Sequence, residues 1–218
     1  MLVLAVDTAT PAVTAGVVAL DGASVEVLAE RVTVDARAHG ELLTPHVLDA
    51  LAAAGRSLAD VDAIVCGIGP GPFTGLRAGM ATAAALGHAL DVPVHPVCTL
   101  DAFAAGTSGP LLVTTDARRK ELYWATYADG ERVTGPAVDR PATIAVVDAV
   151  ADAMPRAGTT LYADVLTMPH TGAEFPTPAG LVRAAAGQLD RPARPLVPMY
   201  LRRPDATVPG TRKRVTAP

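Results

Sequence analysis

Two aspartates stand where a carboxylate could take part in phosphate chemistry. Asp7 and Asp116 each end an apolar, strand-like run, and Thr8 and Thr10 follow the first of them. A carboxylate in this position, beside a threonine-rich turn, can reach Mg²⁺ and the phosphates that the ion carries. With Arg118 close behind the second aspartate, these residues indicate a degenerate nucleotide cleft. The alternative is that each aspartate only hydrogen-bonds the turn that follows it.

A glycine-rich stretch, GIGPGPFTGLRAGMATAAALG, raises the question of whether the chain binds a phosphate. A P-loop requires Lys and then Ser or Thr after its last glycine, whereas Leu and Arg follow Gly75. A dinucleotide loop requires a third glycine at the position of Thr74. The stretch misses both motifs, so we expect it only to open a helix, with Pro72 in the first turn and Gly71 or Thr74 as the cap.

The helix predicted after this loop carries small residues at a spacing of four. Gly75, Gly79, Ala83 and Gly87 share one face, which another element could approach closely. Glycine inside a helix costs roughly 0.5–1 kcal/mol relative to alanine, so a close neighbour should offset that cost. Either the chain's own neighbouring helix or sheet packs against this face, or a second subunit does.

The remaining signals argue against several classes of site. The five histidines show neither HxxxH nor HExxH spacing and are expected at the surface or at caps, and the two cysteines show no CxxC spacing. We therefore predict no metal site, and GxSxG is absent. The net charge of −4 does not suggest a nucleic-acid surface. The cysteines lie in apolar runs, no leader is apparent, and no run reaches roughly 18 apolar residues. We therefore expect a cytoplasmic protein without membrane contact.

The order of predicted elements occurs twice along the chain. The first part reads as three antiparallel strands, a helix over 41–54, a strand, the glycine-striped helix and a short strand limited by prolines to an edge or a strand start. The second part begins near Leu111 with three more strands. It continues with a helix over 141–154, a strand over 159–164 and a helix over 178–189.

Two copies of one α/β unit predict two lobes that face a common cleft. We expect an N-terminal lobe over 1–103 and a smaller C-terminal lobe over 104–203. The residues 204–218 are expected to form a mobile basic tail.

Several blocks, in this order, resemble the bacterial TsaB family: LVLAVDTATPAVTAGVV, RAHGELLTPHV, GIGPGPFTGLRAGMATAAALG, DARRKELYWATY and PMYLRRPDA. The resemblance implies an α/β fold of two ribonuclease-H-like lobes of the actin/sugar-kinase/Hsp70 ATPase type, with mixed sheets whose first strands are antiparallel. It also implies a non-catalytic subunit that helps to make N6-threonylcarbamoyladenosine at position 37 of tRNAs reading codons that start with A.

The partners implied by this resemblance are a metal-dependent catalytic paralogue and an ATPase subunit. ATP and a metal ion are expected on these partners, and no cofactor is expected on this chain alone. A homodimer is expected when the partner is missing, and any tRNA contact is indirect or weak. The resemblance places a subunit interface on the two helices of the first lobe. The predicted interface residues are Leu42, Leu43, Val47, Leu51, Gly71, Phe73, Thr74, Gly75, Leu76, Gly79, Ala83 and Gly87.

The chain departs from the family motif at Pro72, where the family usually has Ser after GPG. Proline suits the start of a helix but removes a hydroxyl. Similar proteins have been grouped with glycoproteases, but no protease site is visible in this sequence.

Two other functions stay open at this stage. The first is an independent ATP-dependent enzyme that uses Asp7 and Asp116; the lack of any Gly-Gly for an adenosine loop argues against it. The second is a tRNA-binding module led by basic residues near the end of the chain, which the acidic remainder of the chain argues against. These basic residues are Arg202, Arg203, Arg212, Lys213 and Arg214.

Overall fold

The computed structural model describes residues 1–147 and 154–202. Within these residues, nine strands form two sheets, and five α-helices and two short 3₁₀ turns accompany them. The strands are β1 (Leu2–Asp7), β2 (Ala12–Asp21), β3 (Ser24–Val34), β4 (Ala63–Gly67), β5 (Val94–Val97), β6 (Pro110–Asp116), β7 (Leu122–Ala128), β8 (Glu131–Asp139) and β9 (Arg156–Gly158). The helices are α1 (His39–Ala53), α2 (Phe73–Leu90), α3 (Asp101–Ala104), α4 (Pro141–Ile144) and α5 (Pro178–Ala185).

The first sheet has the strand order β3-β2-β1-β4-β5. Strands β1, β2 and β3 are antiparallel neighbours, with Asp7 opposite Thr14. Strand β4 lies parallel to β1, and β5 parallel to β4 at the edge. An edge strand tolerates the missing amide hydrogen of Pro96, as the sequence predicted. The expected order of elements in the first part of the chain is confirmed.

The second sheet repeats this arrangement with the order β8-β7-β6-β9. Strands β6, β7 and β8 are antiparallel, and β9 is parallel to β6. Three antiparallel strands followed by a parallel strand on the other side of the first is the pattern of a ribonuclease-H-like unit, so the predicted fold class of two such lobes is confirmed.

Two elements of the second part differ from the sequence prediction. The strand predicted over 159–164 is wrong: the strand is β9, and the Thr159 hydroxyl accepts a hydrogen bond from the Leu161 amide at 3.2 Å, which closes a turn instead. Of the helix predicted over 141–154, only α4 and a following turn lie in the described residues; 148–153 and the predicted tail lie outside them.

Three helices sandwich the first sheet. Helices α1 and α2 cover one face, where Leu43, Val47 and Leu76 pack with Leu4 and Ile64 of the strands. Helix α5 covers the opposite face, where its apolar side chains pack on β1 and β4. A helix from the C-terminal half of the chain therefore completes the core of the first lobe.

The second sheet faces the first lobe on one side only. That side packs on Cys98, Leu100 and Phe103, which follow β5 and lead into α3. The other side is closed by Ile144 of α4 and by Leu166. Asp7 and Asp116 therefore lie at the ends of strands that belong to two separate cores. The segment 98–104 lies between these cores.

Candidate functional site

The glycine loop between β4 and α2 is filled by the chain's own first hairpin. A Cβ atom at Gly71 would overlap the carbonyl oxygen of Ala9, and one at Gly75 would lie 2.7 Å from the carbonyl oxygen of Thr8. The glycines therefore let backbone approach backbone, whereas a phosphate cradle needs that space for its ligand. This geometry supports the sequence interpretation that the loop is not a phosphate site.

Thr8 fastens the hairpin to the first turns of α2. Its hydroxyl donates to the carbonyl oxygen of Gly75 at 2.7 Å and accepts from the amide of Gly79 at 3.1 Å, and the side chain is buried. A Cβ atom at Gly79 would overlap this hydroxyl oxygen, and one at Gly87 would overlap Val94 of β5. The small-residue face of α2 is therefore covered by the chain itself, and the idea of a second subunit against this face is wrong.

Most residues predicted for a subunit interface lie in the interior. The buried ones are Leu43, Val47, Leu51, Gly71, Gly75, Leu76, Gly79, Ala83 and Gly87. Leu42 and Phe73 are half-buried and Thr74 is exposed, so only these three of the predicted set reach the surface. A contact with another subunit remains a prediction, and on these two helices only the outward faces are accessible for it.

The start of α2 also differs from the expected cap. Pro72, in an extended conformation, is the N-cap residue, and α2 begins at Phe73. No side chain caps this end, so neither Gly71 nor Thr74 has the predicted role. The Leu76 amide donates to the carbonyl oxygen of Pro72 at 3.1 Å, and Thr8 contacts the helix from outside at Gly75 and Gly79.

Asp7 is buried beneath the cleft, which corrects the prediction that it faces the cleft. The amide of Ala9 donates to one carboxylate oxygen at 2.9 Å, and the Thr99 hydroxyl donates to the other at 2.6 Å. The amide of Gly69 donates to the same hydroxyl at 3.2 Å. Burial raises the pKa of Asp7 from 3.8 to about 6, and the Thr99 hydrogen bond opposes part of that rise. Asp7 thus ties together β1, the glycine loop and the end of β5.

Asp116 occupies the matching position in the second lobe but stays accessible. The amide two residues later, that of Arg118, donates to its carboxylate at 2.8 Å, as the amide of Ala9 does for Asp7. The predicted turn role of both aspartates is therefore present. The Arg118 side chain lies 3.7 Å from the other carboxylate oxygen and is 61% exposed.

Two adjoining cavities of about 260 and 200 Å³ lie between the lobes. Thr10 and Pro11 of the first hairpin and Asp116 of the second lobe line both of them. Of the residues predicted for the cleft, the structure brings together Thr10, Asp116 and Arg118. It buries Asp7 and Thr8 in contacts that hold the first lobe together.

Sequence reasoning missed two residues around this site. His39 was expected at the surface or at a cap, but it is buried, with its Nε2 atom 2.8 Å from the carbonyl oxygen of Thr10. Tyr200 lies with its ring centroid 4.5 Å from that of Phe73, and its hydroxyl accepts from Arg77 Nε at 2.7 Å. The one available signal for Tyr200 was its place in the block PMYLRRPDA.

The segment 199–202 crosses from one lobe to the other. The amide of Met199 donates to the carbonyl oxygen of Ile68 at 2.8 Å in the first lobe. Arg202 donates to the carbonyl oxygen of Ala117 at 2.8 Å and pairs with Glu121 in the second lobe. This crossing fixes the position of the two lobes relative to each other on the side of the N-terminus of α2.

Across the described residues, no three His, Cys, Asp or Glu side chains are grouped so that they could hold a metal ion. In the same ranges, no helix is both long and apolar enough to cross a membrane.

Comparison with known proteins gives a consistent set of relatives. A family model described as "TsaD: tRNA N6-adenosine threonylcarbamoyltransferase" matches residues 26–185. An uncharacterized protein of Mycobacterium tuberculosis is 58% identical over 204 residues, or 94% of this chain and 93% of the relative. The tRNA threonylcarbamoyladenosine biosynthesis protein TsaB of Escherichia coli is 38% identical over 144 residues, or 60% of this chain and 57% of that protein. Among solved structures, YeaZ from Pseudomonas aeruginosa is similar with a TM-score of 0.74 and 31% identity, over 92% of this chain and 99% of that one.

Proposed function

This chain belongs to the TsaB/YeaZ family, and from that premise we propose that it is a non-catalytic scaffold subunit in the biosynthesis of tRNA threonylcarbamoyladenosine. Relatives from two further bacteria carry the same name as the Escherichia coli protein, which supports a role in this modification. The partner is the catalytic paralogue that the family model describes as the threonylcarbamoyltransferase. ATP and the metal ion belong to partner subunits, one of which is an ATPase.

The observation that carries this proposal is the outward face of α2. The helix contains one formally charged side chain, Arg77, between Phe73 and Leu90. Its exposed positions are mostly alanines, among them Ala81 and Ala85. A surface helix normally has a polar face opposite its core face, whereas a helix that is apolar all round is normally buried. The exposed side of α2 therefore fits a surface that another protein covers.

Helix α1 extends this surface. It packs beside α2 on the same face of the first sheet, and its outward side includes Leu48, which is 49% exposed. Leu42 is half-buried, and Ala52 and Ala53 are exposed on the same helix. Obligate interfaces are enriched in apolar area at their centre, so the two helices together suit a stable subunit contact. Without the partner, the same surface can pair with its copy and give a homodimer.

The site geometry supports a subunit that does not itself carry out the transfer. Thr8 and Asp7 hold the hairpin, the glycine loop and β5 in place, and the hairpin fills the space that a phosphate would need. An independent ATP-dependent enzyme is therefore the weaker alternative. The tRNA-binding alternative also has less support, because Arg202 is paired with Glu121. The other basic residues proposed for it lie outside the described residues.

Light scattering after size-exclusion chromatography tests the proposal, with the chain alone and mixed with the paralogue from the same genome. We expect the mixture to elute as a heteromer, and Ala85→Arg to weaken its formation at least tenfold because a charge enters an apolar contact. The matched control is Ala128→Arg, an exposed position in the second lobe, which should assemble normally. Equal assembly of both variants, or no heteromer with the unaltered chain, would contradict the proposal. Thermal unfolding of each variant separates lost assembly from lost folding.

A further inference from the structure

Phe73, Arg77 and Tyr200 form a cluster at the N-terminal end of α2. The ring centroids of Phe73 and Tyr200 are 4.5 Å apart. The guanidinium carbon of Arg77 lies 5.5 Å from each centroid, which is within the range of a cation–π contact. The Nε atom of Arg77 also donates a hydrogen bond to the Tyr200 hydroxyl at 2.7 Å. Two rings and a hydroxyl therefore hold this guanidinium group in one orientation.

The backbone on either side of Tyr200 is itself attached to the two lobes. One residue earlier, the amide of Met199 donates to Ile68 in the first lobe. Two residues later, Arg202 is bonded to the second lobe. Holding a long side chain such as Arg77 in one place costs side-chain entropy. Because this cost is met before a partner arrives, an arginine held in this way loses less freedom on binding.

The terminal nitrogens of Arg77 are still available for a second molecule. In the part of the chain that the structure describes, no carboxylate oxygen lies within 4.0 Å of its guanidinium nitrogens. Arg77 is exposed, so its Nη1 and Nη2 groups remain accessible as hydrogen-bond donors. The cluster therefore presents an oriented positive charge without an opposite charge.

Arg77 belongs to the outward side of α2, which we propose the catalytic paralogue covers. Arg77, Ala81, Ala85 and His88 follow one another at helical spacing, and all four are exposed. Arg77 is the one formally charged side chain of this helix. A partner that packs on the alanines also removes water from the guanidinium group beside them. Removing water from a charge is unfavourable unless an opposite charge and its hydrogen bonds replace the water.

We propose that Arg77, positioned by Phe73 and Tyr200, binds an aspartate or glutamate side chain of the catalytic paralogue. With Nε already bonded, Nη1 and Nη2 donate to the two oxygens of that carboxylate. This inference rests on the proposed scaffold function. It adds the chemistry of the partner surface, which is a carboxylate opposite the N-terminal end of α2 and an apolar area opposite Ala81 and Ala85.

Calorimetric titration of the full chain with the paralogue from the same genome tests the proposal. Arg77→Gln removes the charge and should raise the dissociation constant at least about tenfold. The matched control is Arg140→Gln, the same change at an exposed position whose side chain caps no helix, and it should leave the constant unchanged. Equal effects of the two substitutions would overturn the proposal. Thermal unfolding of each variant shows whether it is folded.

Charge reversal identifies the opposite residue. Arg77→Glu should weaken the complex more than Arg77→Gln does, because two carboxylates then face each other. Replacing the exposed aspartates and glutamates of the paralogue by arginine, one at a time, should yield one variant that restores most of the affinity for Arg77→Glu. Failure of every such variant to do so would overturn the pairing.

Tyr200→Phe tests the positioning of Arg77, because it keeps the ring and removes only the acceptor for Nε. It should raise the dissociation constant by less than Arg77→Gln does. The dependence of that constant on salt should weaken in Arg77→Gln and persist in Tyr200→Phe, which retains the charge. Unchanged affinity of Tyr200→Phe would contradict its positioning role.

The titrations also separate this inference from the function on which it rests. If the unaltered chain binds the paralogue and Ala85→Arg weakens binding while Arg77→Gln does not, the carboxylate inference is wrong and the scaffold function stands. If the unaltered chain does not bind the paralogue, the scaffold function itself is contradicted.

Discussion

Replacing Asp7 with asparagine should change how the stability of this protein depends on pH. The carboxylate is fully buried, and its hydrogen bonds come from Thr99 and from the amide of Ala9. Burial favours the neutral form, so the folded protein holds the proton more tightly than the unfolded chain does. Asparagine has a similar shape, can still accept from Ala9 and does not ionise, so it removes the titration with little change in packing.

The magnitude follows from the two pKa values of Asp7. The pKa is 3.8 for the free side chain and about 6 in the folded protein, a rise of about two units. At 1.36 kcal/mol per unit, ionised Asp7 lowers the free energy of unfolding by about 3 kcal/mol at neutral pH. At pH values between these two pKa values, the native state binds more protons than the unfolded state. The free energy of unfolding therefore falls as the pH rises from about 4 to about 6, and it stays constant above about pH 6. This change is a large fraction of the roughly 5–15 kcal/mol that stabilises a typical domain.

Urea unfolding at closely spaced pH values from 4 to 7 measures this effect as the difference between Asp7→Asn and the unaltered chain. We expect the variant to gain about 3 kcal/mol relative to the unaltered chain across this range. Thr99→Val removes the hydrogen bond that opposes the rise in the pKa of Asp7, so it should move the descending part of the profile to higher pH. Parallel profiles for Asp7→Asn and the unaltered chain would refute the reasoning.

Two further predictions concern the contacts that fix α2 and the lobes. Gly79→Ala should cost about 1–1.5 kcal/mol in urea unfolding, because the two hydrogen bonds of Thr8 are worth about 1 kcal/mol each and the helix gains back roughly 0.5–1 kcal/mol. Gly40→Ala in α1, which meets no atom within 4 Å, should instead stabilise the protein, and equal effects of the two alanines would contradict the packing argument. Arg202→Ala should lower stability by about 1–2 kcal/mol through the lost bonds to Glu121 and the second lobe. Arg202→Lys should recover only part of that loss, because lysine lacks the planar guanidinium group that bonds both Glu121 and the carbonyl oxygen of Ala117. Full recovery of stability would count against this geometry.

Local patterns in the sequence were sufficient for the architecture. Apolar runs that end in Asp7 and Asp116, each followed by a second strand, predicted two copies of one unit, and the two sheets have that arrangement. A helix was also predicted over 178–189, and α5 covers Pro178–Ala185 of that range. These features depend on neighbours a few residues apart, which a single sequence displays directly.

Short elements and turns in the second half were harder to predict. The strand β9 has three residues, and its existence depends on parallel pairing with β6 about 40 positions earlier in the chain. The residues just after it, 159–164, have a good strand composition but form a turn. Composition alone could not decide between the two segments, because the pairing partner is distant in sequence.

The sequence alone determined the fold class, the absence of a standard phosphate motif and the existence of a small-residue face on α2. Only the tertiary structure decided what occupies that face. The bond between Thr8 and Gly79 joins residues 71 positions apart, and the one between Asp7 and Thr99 joins residues 92 positions apart. Such contacts form because the strand ends meet at one edge of the sheet, and this geometry fixes which side of each helix is buried. The outward side of α2, and not its glycines, is therefore the surface that we propose a partner covers.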